Sequence, residues 1–449
     1  SIAIGSYALY TQEPASNISM NNVAVGPSAG YAVTTGIRNT LIGSSAGDNI
    51  TEGQDNIAIG FHALSAVTDA DNSIGIGTYA GSASTANIIA IGRSAAGSNT
   101  TGTGNTAIGH NALNANEVGD NNTAVGYTAL YTMDPADGSS GNTGLGFQAG
   151  YGISNGVYNT AVGAYALDAS SGTGDYNTAL GSNSLTSNTA GTENTALGYK
   201  TLNTNTVGTH NVAVGSNALY TNLEGLQNVA VGEKALYLNS TGDQNVAIGT
   251  LALYNNTVNA NTAVGFNAAV GNTDGLYNTA FGYQALNTNT QGDGNTAIGY
   301  KALYTSNPTA DTGNNTAVGS LAAEDLSTAI NSVFVGRNAG KNVTAASNNT
   351  VLGANAFSSQ TTGERNIAIG YDALSTANHT NSNYNIAIGY EALPDVTEGN
   401  TTVAIGYNTG DSITTATKGI YIGHAAVASG NVSNETVIGP DTTGKGANT

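Results

Sequence analysis

The side chains of this chain with chemistry to offer are its 23 tyrosines, five histidines and 29 carboxylates, and their spacing decides what they can do. Fifteen of the tyrosines fall at only two places in a recurring pattern, as Tyr127, Tyr199, Tyr283 and Tyr300 or as Tyr220, Tyr237 and Tyr254. Rings recurring on an outer wall either stack on sugars or cover one another. His62, His110, His210, His379 and His424 sit at unrelated places, without the paired spacing a zinc site needs. Acids such as Asp69, Asp71, Asp134, Asp137, Glu324 and Asp325 lie in turn-rich stretches, without the glycine-rich nonapeptide of calcium-binding rolls. They read as solvated loop charges that keep the chain soluble. Glycine clusters such as Gly172 to Gly174 lack the lysine and helix of a phosphate loop. Hydrolysis of a glycan would need paired carboxylates in a cleft, and no insert is large enough to build one. The expectation is a protein that is not an enzyme and carries no cofactor or metal.

Every one of these residues hangs on a repeat. The unit is NTAVGYTAL, as at Asn122 to Leu130, and with its glycine as position zero it occurs 26 times between Gly5 and Gly439. Seventeen of the 25 intervals are 17 residues long, a period that means a solenoid. Position −3 is always Thr, Val or Ile and −1 is always bulky and apolar, so each copy is expected to be one short strand. Stacked coil on coil, the strands should make a parallel sheet, with −3 and −1 pointing inward.

Position −2 is Ala in 19 copies. A solvent-facing strand position would be polar, so the alanine column is expected to face sister chains. It comprises Ala107, Ala124, Ala161, Ala196, Ala213, Ala230, Ala247, Ala280 and Ala297 among others. Seven copies depart, at Leu41, Gly75, Gly144, Phe334, Val351, Tyr421 and Val437, and a widening or a changed contact between chains is expected where the larger ones gather, from Phe334 and Val351 to Tyr421 and Val437. The glycines, among them Gly109, Gly126, Gly163, Gly198, Gly215, Gly232, Gly249, Gly282 and Gly299, fit a structural corner where φ is positive or a side chain would clash. Asn at −4 in 19 copies suits a ladder of amides, and Ala at +3 with Leu or Gly at +4 suits a second inward segment.

Three long intervals carry related proline inserts, Tyr10 to Pro14, Tyr131 to Pro135 and Tyr304 to Pro308, so longer outer loops are expected near 10–21, 131–141 and 304–314. Tyr10, Tyr131 and Tyr304 are the candidates for surface binding. No change of composition divides residues 1–449, which favours one continuous solenoid. At a rise of about 4.8 Å per coil it would be a rod roughly 120 Å long. A net charge of −19 argues against a nucleic-acid partner. No apolar run is long enough to span a membrane. The repeat is already under way at Ser1, which suggests a fragment of a longer fibre protein.

The NTAVG, NVAVG and SIAIG segments, followed by xxAL or xxAG, resemble the repeats in the heads of YadA-like trimeric autotransporter adhesins. They resemble more closely the Asn/Thr/Gly-rich repeats of phage-type tail-fibre proteins that precede an intramolecular chaperone domain. That resemblance implies an all-β, left-handed parallel β-roll that is homotrimeric and extracellular, on a virion or a bacterial cell surface. The function expected is the structural shaft of a fibre that displays a receptor-binding tip. The alternative is an adhesin whose rod itself binds a cell-surface glycan or receptor through its Tyr-bearing and Pro-bearing loops.

Overall fold

In a computed structural model the chain is all-β, a parallel solenoid whose repeat is the coil read from sequence. The structure describes residues 1–13, 19–85, 87–136, 138, 140–169, 172–309, 312–359, 361–376 and 382–446. Pro14, Asp137 and His379 lie outside them, as do parts of the three long loops. There are two compact units, Ser1–Leu226 and Gln227–Thr449. The first holds strands β1 (Ile2–Ile4) through β13 (Val212–Val214), the second β14 (Val229–Val231) through β26 (Thr436–Ile438).

Within each unit like pairs with like. Thr178, Ala179 and Leu180 lie beside Thr195, Ala196 and Leu197, and Thr279, Ala280 and Phe281 beside Thr296, Ala297 and Ile298. The strands are three or four residues long because a glycine ends each one. At Gly126 φ is +139°, a conformation that side chains rarely adopt. At Gly77 a Cβ would sit 2.7 Å from the carbonyl of Gly92 in the next coil. The glycines are therefore needed twice over, for their backbone angle and for the close approach of successive corners.

The direction of the strand side chains is the reverse of the expectation. Ala196 is fully buried, while Leu197 beside it is 42% exposed. The same holds for Ala107, Ala124, Ala161, Ala213, Ala230, Ala247, Ala280 and Ala297, all 0% exposed inside their own chain. These alanines line the interior of the coil and do not face sister chains. The branched residues at −3 and −1 form the outer face, half-buried or exposed. The physical reason is the narrowness of the coil: position −2 packs against position +4, as Gly75 does against Leu64 and Gly144 against Leu130, so a leucine at +4 leaves room only for a small residue at −2.

The departures at −2 are corrected with it. Leu41 fits inside because both neighbouring +4 positions are glycine: a Cβ at Gly30 would approach its Cδ1 to 2.6 Å, and one at Gly47 its Cδ2 to 2.8 Å. Phe334 lies against Gly340 in the same way, and Gly75 and Gly144 make room for Leu64 and Leu130. Tyr421 and Val351 are also fully buried, and Val437 is buried. The exchanges at Leu41, Phe334, Gly75 and Gly144 conserve interior volume, and all seven positions are buried within their own chain.

The second inward segment is present, at +3 and +4, but it is not a strand. Leu202 has φ +48° and Leu219 +49°, in the left-handed region, and so does nearly every leucine at this position. Such a conformation costs about 1–2 kcal/mol in a residue with a Cβ. Burial of the leucine, worth about 1.5–3 kcal/mol, offsets it. Glycine alternates with leucine at +4 because it takes the same angle without strain, and Val or Ile at +7 then fills the space, as in Gly30 with Val33 and Gly47 with Ile50.

Asparagines close the third side. Asn39 donates its amide to the Gly53 carbonyl at 2.8 Å, and its Oδ1 accepts the Asn56 backbone N–H at 2.9 Å. The pattern repeats from Asn142 to Asn159 and Asn177. A second ladder at +7 runs through Asn188, Asn205 and Asn222, each donating to the Oδ1 of the one before. Buried amides are held at little cost because each finds backbone and neighbour partners. The prolines of the long loops tuck inward where they are described: Pro135 and Pro308 are buried, the former against Gly119.

Candidate interaction surface

Two things stand on the outer wall: the branched columns at −3 and −1, and aromatic columns at +1 and +5. The apolar columns run the length of each unit, through Leu145, Leu180, Leu197 and Val212 in the first and Ile248, Phe281, Ile298 and Leu352 in the second. Phe281 is 55% exposed. The identity of these residues could have revealed them, since a coil whose interior is already filled by the alanines at −2 and +3 and the leucines at +4 has no room for a further bulky column at −3 and −1.

The aromatic columns are ladders. Tyr283 stacks on Phe266 and Tyr300 with ring centroids 5.4 and 5.5 Å apart, the spacing of the coils themselves. Tyr237 stacks on Tyr254 at 5.1 Å with planes 2° apart. In such a ladder each ring face meets another ring, so an interior rung has no free face for a sugar.

The three proline-loop tyrosines are not brought together. Tyr10 stacks on Tyr31 at 5.4 Å and Tyr131 on Tyr151 at 5.3 Å, at separate coils of the first unit. Tyr304, in the second, lies under the Lys301 ammonium at 4.9 Å, and Glu324 bridges Lys301 and Lys341. The histidines are dispersed as well: His62 stacks on Tyr79, His210 faces Glu193 at 3.1 Å, and His424 Nδ1 meets Asp441 at 2.8 Å. Among the described residues no group of three metal-ligating side chains converges, and no helix is long and apolar enough to cross a membrane.

One carboxylate is built into the interior. Glu435 takes the ladder position −4 in the last coil and accepts the N–H of Ser429 at 3.1 Å and of Gly446 at 2.9 Å, with the Tyr421 hydroxyl at 3.4 Å. Burial would raise its pKa, but these donors outweigh it and hold the carboxyl below its ordinary value. Burial, with Glu435 alongside, pushes the Tyr421 phenol up to about 12. Sequence reading passed over this pair because a lone Glu at −4 carries no repeating signal.

The chain matches no protein-family model and no curated protein.

Proposed function

We propose that this chain is the shaft of an extracellular homotrimeric fibre, on a virion or a bacterial cell surface, and that its task is mechanical: to hold a receptor-binding tip at a distance. The observation that carries the reading is the outward apolar face. Val, Ile, Leu, Phe and Thr at −3 and −1 stand half-open to water in coil after coil, with no charged residue among them. A monomer rarely leaves a contiguous apolar stripe of this extent uncovered. Sister chains presenting the same columns in the same register bury it, and each half-exposed leucine then contributes on the order of 1 kcal/mol. The interface expected of the alanines passes to these residues, and three chains around one axis remain the arrangement that the resemblance implies.

Sedimentation equilibrium tests the proposal. The chain is expected at three times its 44.7 kDa mass, and Leu180→Glu with Leu197→Glu is expected to yield folded single chains. A wild-type chain that sediments as a monomer at micromolar concentration refutes it.

A further inference from the structure

One coil is cut short. From Gly77 to Gly92 there are 15 residues where the period is 17. The strands keep their register across it, Ile74 beside Ile89 and Ile89 beside Thr106, so the shortage falls on the outer loop. The coil before has three residues between Thr68 and Asn72, and the coil after has three between Thr100 and Gly104, but a single residue separates Thr85 from Asn87. The stack of loops therefore lacks most of one rung, and a notch of about 650 Å³ opens between its neighbours. Thr68 and Asp69 line one wall, Thr103 and Gly104 the other, and Thr85 and Asn87 the short loop between them. These are loop positions, off the columns at −3 and −1 that sister chains are proposed to cover.

The side chains in the notch are rich in acceptors. Thr85 Oγ1 gives its hydrogen to the Thr100 carbonyl at 2.6 Å and Thr103 Oγ1 gives its own to Asp120 Oδ1 at 3.0 Å, so both oxygens have only acceptor capacity left. Asp69 Oδ1 takes the Thr51 hydroxyl at 2.6 Å, and Oδ2 adds a charged acceptor. Asn87 brings an amide, at once donor and acceptor. A peptide strand finds no carbonyl row to join, since that of Thr68 already accepts from Thr51, that of Ala70 from Asn56 and that of Thr103 from Asn121. Among the described residues no basic side chain lines the notch, so an anion would set acceptors and negative charge against more of the same.

We propose that the notch binds a saccharide ring that carries no acidic group, held by its hydroxyls. A sugar hydroxyl can donate to Asp69, Thr85 or Thr103 while accepting from the Asn87 amide, and hydrogen bonds linked in this way strengthen one another. The absent rung leaves about one coil spacing, ~4.8 Å, between the flanking loops, a gap that a single pyranose chair fills edge on. The volume falls within the roughly 300–1,000 Å³ of small-ligand sites. Gly104, exposed and without a side chain, leaves the entrance open. The tyrosine ladders take no part.

Saturation-transfer NMR on the full chain tests this, with the methyl pyranosides of glucose, galactose, mannose and N-acetylglucosamine as ligands and glucuronate, inorganic phosphate and spermidine as controls. At least one pyranoside should bind saturably, with a Kd on the order of 1 mM. Asp69→Asn, which keeps the shape, and Asn87→Ala should each weaken it at least fivefold. Asp274→Asn, at the same repeat position in a coil of regular length, should leave it unchanged. Inserting two glycines after Thr85 restores the period and fills the notch, so binding should vanish while circular dichroism shows the fold intact. Absence of saturable binding by all four pyranosides, or an affinity indifferent to both substitutions and to the insertion, overturns the site. Glucuronate or phosphate bound as tightly overturns the reading of the acceptors, and spermidine bound more tightly gives the notch to an amine and overturns the saccharide. Sedimentation reads the assembly separately: a trimer that binds no pyranoside refutes the notch alone, and a monomer that binds one refutes the assembly alone.

Discussion

Ala196 and Leu197 are neighbours on one strand, and they obey opposite rules. On the inner face the side chain is small because the opposing wall is close, and exceptions such as Leu41 and Phe334 are matched by a compensating glycine. On the outer face the side chain is branched, and its own chain covers it only in part. Size alone therefore sorts the two faces, and hydrophobicity does not, since both are apolar. A strand of this kind is specified from inside by volume.

That contrast can be broken most severely from within. Ala196→Asp places an unpaired charge in a space with neither water nor room, and at least about 3 kcal/mol should be lost. Chemical denaturation followed by circular dichroism should show the coils around it unfolded, whereas Thr195→Asp on the outer face should leave the same transition in place. Phe334→Ala empties a large exception to the alanine column and should cost about 3–5 kcal/mol. Adding Gly340→Ala, although strained at φ +59°, should aggravate the double variant less than the wild type, because the ring that filled the space is gone. A cycle of the two substitutions measures that coupling.

Breaking the amide ladder sharpens the comparison at a smaller scale. Asn205→Ala takes one hydrogen bond each from the Asn188 Oδ1, the Asn222 amide and the Gly208 carbonyl, of which the last two keep Gly225 and Asn194 as partners, at about 1–3 kcal/mol. Hydrogen exchange should show the loss confined to adjacent coils, as expected of a solenoid in which each repeat contacts its neighbours. Leu197→Ala, outside, should change the stability of a single chain by less than about 1 kcal/mol while weakening self-association in sedimentation.

The smallest effect is a pH-dependent one at the last coil. The folded Tyr421 phenol has its pKa raised to about 12, above the unfolded value near 10. Its contribution to stability is complete below the unfolded value and is lost as pH rises through the folded one. Between those limits residues 420–446 should become labile to exchange, and Tyr421→Phe should abolish that alkaline component. Exchange in the coil of Ala107 should not respond to the substitution.

Much of this architecture was legible in the residues. The period, the strand at Thr123–Val125, the corner at Gly126 and the amide ladder through Asn39 and Asn56 follow from turn chemistry and spacing. The polarity of the strand was not, because alternation places −3 and −1 on one face without saying which face is inside. A 17-residue coil has a thin interior, and that consideration, applied to the alanines, would have reversed the assignment. The left-handed leucines, such as Leu202, were hidden for another reason: propensity excludes them, and only packing compels them. Tyrosines at +1 and +5 pointed to an outer wall, but that their faces are spent on each other depends on the coil spacing matching ring stacking. The Glu435 and Tyr421 pair departs from the repeat, and a single departure has no pattern to interpret it.

The coils that break the period bear on a problem that uniformity creates. Two chains slid past each other by one rung would present the same columns to one another, so sameness carries no phase information. The coil ending at Gly92 is two residues short of the period, and Ile88 replaces the amide there, whereas the coils leading to Gly146 and Gly319 each exceed it by three residues. Misaligned partners would set these irregular rungs against regular ones. If copies of this chain associate in the proposed way, the blemishes would act as graduations that distinguish one alignment from another.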